Sequence, residues 1–318
     1  MKLLSHVRVV IVGMLMGAAE VVPGVSGGTI AFVSGYYEKL IDTIRQFTPY
    51  LIVRLRHDGF VSLWRQLDVN FLLILFGGMF ASILLFANGV SYLLENQPVM
   101  IWSLFFGLVL ASVAVVWLDI GEYNAGIGLA LVVGIALGLL LTRVVPINLP
   151  PTPIALFFGG AVAVCAWILP GLSGSFILLV LGLYAVVIDA VKELEFVTLG
   201  VVAAGCAVGI VTFAQGLTWL FVRYRAVTLA VLTGFMVGSL TKIWPWKITT
   251  SYQIKADGTQ IPLVQQPILP HEYLQLTGEE PQVLVALVSI VAGLLVVLGL
   301  KWLARHHAEE RRIDGHGT

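Results

Sequence analysis

Charge is scarce in this chain. Lys, Arg, Asp and Glu make up 11% of its 318 residues and hydrophobic residues 58%, whereas soluble domains carry about 25% charged residues. With a mean hydropathy of +0.96, that shortage excludes a soluble protein of this length. The 18 basic and 18 acidic residues cancel, so no global field draws in nucleic acid, and none is expected as a partner. Cysteine is nearly absent: Cys165 and Cys206 both lie inside apolar runs and read as small hydrophobes, which excludes a disulfide framework. All six histidines (His6, His57, His271, His306, His307, His316) fall outside the long apolar runs, so no buried metal cage is expected.

What the chain has in abundance is apolar length. Six segments approach the roughly 20 residues that a spanning helix needs: 71–94, 98–118, 125–142, 197–222, 226–241 and 282–303. Two further stretches, 7–42 and 154–191, are too long for one helix, and Pro-Gly followed by a Ser/Gly cluster breaks each near its middle. These are expected to be re-entrant helical hairpins, because non-helical backbone at membrane depth survives only where it is buried in protein or lines a cavity. Legs of about 14 residues, rising about 1.5 Å each, bring the tips roughly two thirds of the way through the hydrocarbon core.

If the hairpins return to their side of entry and the six segments cross, 13 of the 18 Lys and Arg residues fall on one side and five on the other: Arg143, Lys192, Lys242, Lys247 and Lys255. That bias predicts cytoplasmic termini and places 242–281 outside as a cap with no domain of its own. The start resembles a signal peptide, with Lys2 and Arg8 ahead of an apolar run. Its place in an internal repeat argues that it is retained.

That repeat appears when the two broken stretches are aligned at an offset of 147: Gly13 pairs with Gly160, Pro23 with Pro170, Gly24 with Gly171 and Ser26 with Ser173. Gly27 then pairs with Gly174, Gly35 with Gly182, Tyr37 with Tyr184 and Asp42 with Asp189. A second match aligns Gly107 with Gly234 and Ser112 with Ser239 at an offset of 127. The difference is explained by a charged amphipathic insert, 43–68, suited to anionic headgroups or to docking. The expected fold is an all-α polytopic membrane protein with two repeats, 1–150 and 151–318, each one re-entrant hairpin plus three transmembrane helices. Three crossings per half turn the second repeat upside down, the pattern that transporters use for alternating access.

The chemistry is expected at the tips. In Pro23-Gly24-Val25-Ser26-Gly27-Gly28-Thr29, proline stops the incoming leg, the glycines allow close approach, and Ser26 or Thr29 can cap the outgoing helix. Free N–H groups and the helix dipole then make an anion site, and Pro170-Gly171-Leu172-Ser173-Gly174-Ser175 supplies a second from the opposite side. One such copy is explained by turning and packing alone; two copies at symmetric depth favour a site. No Lys follows the glycines, so this is not a nucleotide P-loop. Glu20 is the one ionisable residue well inside an apolar segment, and the repeat sets Trp167 at its counterpart. An intramembrane carboxylate points to function, here coupling to a proton or sodium gradient, against the plainer reading of a protonated carboxyl bonded to backbone. Arg143 is a weaker candidate as an outer phosphate contact, since an interfacial Arg commonly snorkels. Gly77, Gly78, Gly134, Gly138, Gly205 and Gly209 read as close helix packing. No cofactor or metal is expected.

The segments Ala18-Ala19-Glu20-Val-Val-Pro23-Gly-Val-Ser26-Gly-Gly-Thr29 and Trp167-Ile-Leu-Pro170-Gly-Leu-Ser173-Gly-Ser175-Phe176, each followed by Gly-x-Tyr, resemble the PopT-type polyprenyl-phosphate transporter family. The resemblance covers essentially the whole chain. It implies a bacterial cytoplasmic-membrane translocase that returns undecaprenyl phosphate, the lipid carrier of envelope assembly, from the outer to the inner leaflet. By match to the motif, the implied substrate region is Glu20, Pro23 to Thr29 and Pro170 to Ser175. An alternative is an undecaprenyl-pyrophosphate phosphatase-like enzyme, whose tip carries an Arg where Gly27 and Gly174 stand here; without a cationic clamp or acidic metal cluster, phosphoryl chemistry is hard to stabilise. A small-anion exporter would use the same tips.

Overall fold

The computed structural model describes residues 2–22, 26–48, 50–51, 53, 57, 59–144, 147–254 and 260–314. The chain folds mostly into helices. The first broken stretch forms α1 (Lys2–Glu20), α2 (Gly27–Val33) and α3 (Tyr37–Ile44). After α4 (Phe60–Gln66) come α5 (Val69–Asn96), α6 (Pro98–Asp119) and α7 (Ala125–Thr142). The second broken stretch forms α8 (Pro153–Ile168), α9 (Gly174–Val180) and α10 (Tyr184–Lys192), followed by α11 (Phe196–Ser239). Among the described residues, five helices, α5, α6, α7, α11 and Val283–Trp302 of the last helix, are long and apolar enough to cross a membrane.

Three features refine the sequence expectation. Each outgoing leg is two short helices rather than one, because Gly35 and Gly182 take φ of +77° and +73° and turn the chain; α9 and α10 meet at 113°. The segments 197–222 and 226–241 run on as α11, interrupted only where Tyr224 leaves helical angles (φ −137°, ψ 47°). The described part of the cap 242–281 carries secondary structure: β1 (Lys247–Ile254) pairs antiparallel with β2 (Gln260–Pro267), and α12 (Pro270–Thr277) leads to α13 (Val283–Asp314). A small sheet thus interrupts the expected all-α fold. Val99, Trp246, Tyr273 and Ala286 form its core, and the indoles of Trp244 and Trp246 donate to the Ile268 and Pro281 carbonyls. Of the 43–68 insert, Arg54, Arg56 and Asp58 lie outside the described residues.

The repeat recurs in the backbone. Ser26 (φ −114°, ψ 133°) matches Ser173 (−109°, 132°), and Tyr36 (−95°, −5°) matches Leu183 (−95°, −9°). It recurs in the packing as well. A side chain at Gly13 would strike the Leu75 carbonyl, and one at Gly160 the Val202 carbonyl; Gly78 lies against Val10 and Gly205 against Phe157 in the same way. The later helices exchange partners. Gly107 of α6 and Gly293 of α13 interlock at Ile290 and Leu104, while Gly134 of α7 and Gly234 of α11 interlock at Val231 and Leu131. The middle crossing of each half therefore packs on the last crossing of the other. Lipid tails remove any hydrophobic reason for two helices to associate, so these glycine seams stand in for it with backbone-to-backbone contact.

Charged residues from different elements pair across the fold: Lys39 with Asp68 at 2.7 Å, Arg225 with Glu38 at 2.9 Å and Lys301 with Asp119 at 3.0 Å.

Candidate functional site

The first tip lies between α1 and α2. Pro23, Gly24 and Val25 fall outside the described residues, but the outgoing end is well defined. Ser26 is the cap: its Oγ accepts from the Gly28 N–H at 3.0 Å and donates to the Trp167 carbonyl of the other hairpin at 2.9 Å. Beside it, the Gly27 N–H donates to Glu20 Oε2 at 2.9 Å. The N-terminal end of α2 thus already has a carboxyl oxygen, supplied by the chain itself, on one of its N–H groups. Gly28 cannot carry a side chain, because a Cβ there would sit 2.6 Å from the Ile168 carbonyl.

The second tip has the same backbone and different occupancy. Ser173 caps no N–H; its Oγ instead lies 2.7 Å from Ser175 Oγ. The first three N–H groups of α9, on Gly174, Ser175 and Phe176, have no partner among the described residues. Gly171, with φ of +86°, donates its N–H to Thr29 Oγ1 at 3.0 Å, and a Cβ there would meet Ser239 Oγ at 2.5 Å. Pro170, Gly171 and Gly174 are buried, while Ser26, Thr29 and Ser173 are at most 1% exposed; Ser175 opens to the surface.

The two motifs are therefore in direct contact. Glu20 and its repeat counterpart Trp167 also meet side chain to side chain. Arg143 ends α7, is exposed, and carries no hydrogen bond or ion pair to the described residues of either tip. Lys242, absent from the sequence reading of the site, stands beside it, and Lys247 is bonded to the Lys242 carbonyl. Lys242 lies 4.5 Å from the ring centre of Phe176, the residue after Ser175, and Lys247 lies 3.0 Å from that of Trp102. Burial pushes both ammonium groups below the usual lysine range, and Lys242 pushes Lys247 down further. Their sequence signal is lysines interleaved with Trp244 and Trp246 just past a span, a pattern that reads equally as interface anchoring.

Span-capable helices, glycine-seamed packing and two polar breaks in contact define a polytopic helical membrane protein of transporter type. The chain belongs to the undecaprenyl phosphate translocase-like family, which matches residues 16–261. The polyprenyl-phosphate transporter of Vibrio cholerae is 44% identical over 300 residues, 94% of this chain and 97% of that protein. The polyprenyl-phosphate transporter of Staphylococcus aureus is 29% identical over 257 residues, 73% of this chain and 84% of its own. No solved structure matches. The chain is accordingly a membrane transporter rather than an enzyme.

Proposed function

We propose that this protein moves polyprenyl phosphate, with undecaprenyl phosphate as the physiological form, from the outer to the inner leaflet of a bacterial cytoplasmic membrane. The phosphate is held at the tips by Ser26, Gly27, Gly28 and Thr29 with Ser173, Gly174 and Ser175, while Pro23, Gly24, Pro170 and Gly171 shape the turns. The two halves act as inverted repeats with cytoplasmic termini, and rocking one against the other exposes the tips to each side in turn. The observation that carries this reading is the direct contact of the tips, Ser26 to Trp167 and Gly171 to Thr29, in a chain akin to named polyprenyl-phosphate transporters.

Glu20 gives the cycle its coupling. Its carboxylate occupies the Gly27 N–H, so an arriving phosphate must displace it or find it neutralised by a proton or a sodium ion. Like charges at such spacing repel strongly where water is scarce. An ion that neutralises Glu20 therefore favours phosphate entry, and its release favours phosphate exit.

The test is leaflet-resolved movement of undecaprenyl phosphate in proteoliposomes holding the purified protein, with phosphate release assayed in the same vesicles. Movement without release is expected. Release without movement would make the protein a phosphatase, and neither, under imposed proton and sodium gradients, would favour a small-anion carrier.

A further inference from the structure

The repeat is broken at its cations. Aligned at the offset of 127, Lys242 corresponds to Val115 and Lys247 to Ile120, so one end of the molecule carries two lysines where the other carries aliphatic side chains. At that other end the nearest lysine, Lys301, is already paired with Asp119 at 3.0 Å and bonded to the Val115 carbonyl.

Neither Lys242 nor Lys247 has such a partner. Among the described residues no carboxylate lies within 4 Å of either ammonium, whereas Lys39, Lys192 and Lys301 each have one. Instead Lys247 Nζ donates to the Lys242 carbonyl at 3.1 Å and lies over the Trp102 ring, while Lys242 lies over Phe176. Ring faces and a carbonyl orient an ammonium without cancelling its charge. The backbone between the two is fixed by the cap, in which Trp244 and Trp246 are tied to Ile268 and Pro281. Ser239, three residues before Lys242, lies against Gly171 of the second tip. Lys242 thus stands beside Phe176 of the tip whose N–H groups are open, and Lys247, likewise without a carboxylate among the described residues, is bonded to its backbone.

We propose that Lys242 and Lys247 form a receiving site for a phosphate monoester headgroup at the capped end of the protein, from which the headgroup passes to Ser173 and Ser175. The assignment rests on the polyprenyl-phosphate reading and deepens it. A phosphate monoester carries about −1.5 to −2 charges at neutral pH, which two ammonium groups match and the N-termini of two short helices do not. Charge-assisted bonds to phosphate are strong enough to set affinity. Because the pair occurs at one end only, it distinguishes the side on which the head is captured from the side on which it is released.

The experiment uses the full-length protein in proteoliposomes of defined orientation, with undecaprenyl phosphate supplied to one leaflet at a time and inorganic phosphate as competitor. Lys242→Gln and Lys247→Gln should each raise the lipid concentration for half-maximal movement about tenfold, with the maximal rate largely kept. The effect should appear only for lipid offered at the capped end, and Lys242→Arg should restore most of the loss. Half-saturation within twofold of wild type in the double variant would overturn the assignment. So would a loss that is equal from both leaflets, or one that Arg fails to restore and that accompanies a lower melting temperature. If the wild type moves no lipid, the transport reading fails by itself. Titration with inorganic phosphate then decides the lysine site: binding that disappears in both Gln variants keeps an anion site and assigns it to free phosphate, and unchanged or absent binding removes it.

Discussion

Ser26 makes two hydrogen bonds that Ser173 does not, one to the Gly28 N–H and one to the Trp167 carbonyl. Losing an N-cap costs about 1 kcal/mol, and the Trp167 carbonyl would lose its donor as well. Ser26→Ala should therefore lower the melting temperature more than Ser173→Ala, whose hydroxyl bonds, among the described residues, only to Ser175. Equal shifts in a thermal melt would mean that Ser26 is not the working cap. The combined Ser26→Ala and Ser173→Ala variant should lose lipid movement while keeping its abundance in the membrane, and retained movement would put the phosphate elsewhere. Glu20→Gln keeps an acceptor for the Gly27 N–H but removes the titratable charge. Its movement of undecaprenyl phosphate should no longer respond to imposed proton or sodium gradients, and a wild-type rate with wild-type gradient dependence would end the coupling idea. Glu20 and both serines stand out in the sequence because polar residues are rare in its apolar stretches. The sequence sets Glu20 against Trp167 in the repeat but could not show that Glu20 bonds the Gly27 N–H, since Ser-Gly is written the same way whichever side chain folds back onto the helix end.

At the scale of elements, glycine is the residue whose meaning depends most on what faces it. Gly77 and Gly78 are adjacent on α5, yet a Cβ at Gly77 meets nothing within 4 Å whereas one at Gly78 would come 2.6 Å from the Val10 carbonyl of α1. Gly77→Ala should be neutral or stabilising by up to about 1 kcal/mol, the usual gain from replacing a helical glycine. Gly78→Ala must push α1 away from α5 and should lower both stability and transport. Melting curves of the two variants side by side check this, and equal behaviour would mean that α1 does not pack there. Gly-x-x-x-Gly spacing in the sequence pointed to Gly134, Gly138, Gly205 and Gly209, all of which lie against a neighbouring backbone. It passes over Gly107 and Gly293, which make contacts of the same kind with their partners on other helices. A motif within one helix sees half of such an interface. The spans were legible because apolar length is a property of each segment alone, whereas the turns at Gly35 and Gly182 and the secondary structure of the cap depend on contacts that no single segment contains.

For the whole molecule, the exchange of helices decides whether residues 1–150 and 151–318 are domains in any independent sense. Within the first half, α1 has its partner α5, but α6 and α7 find their backbone contacts on α13 and α11. The second half mirrors this: α8 is satisfied by the first part of α11, through Gly205, Gly209 and the Cys165 and Cys206 thiols that donate to the Gly209 and Gly160 carbonyls. Each half expressed alone would therefore leave two glycine seams open to lipid, which offers no backbone to fill them. The halves should be scarce in the membrane when produced singly and should accumulate and co-purify when produced together, because the seams are complementary between chains as well as within one. Chain entropy opposes the split version by the cost of bringing two molecules together, so its melting temperature should fall with dilution while that of the intact chain does not. If either half alone reaches the abundance of the pair, the exchanged seams do not hold the halves together, and alternating access would have to rest on a looser contact between them.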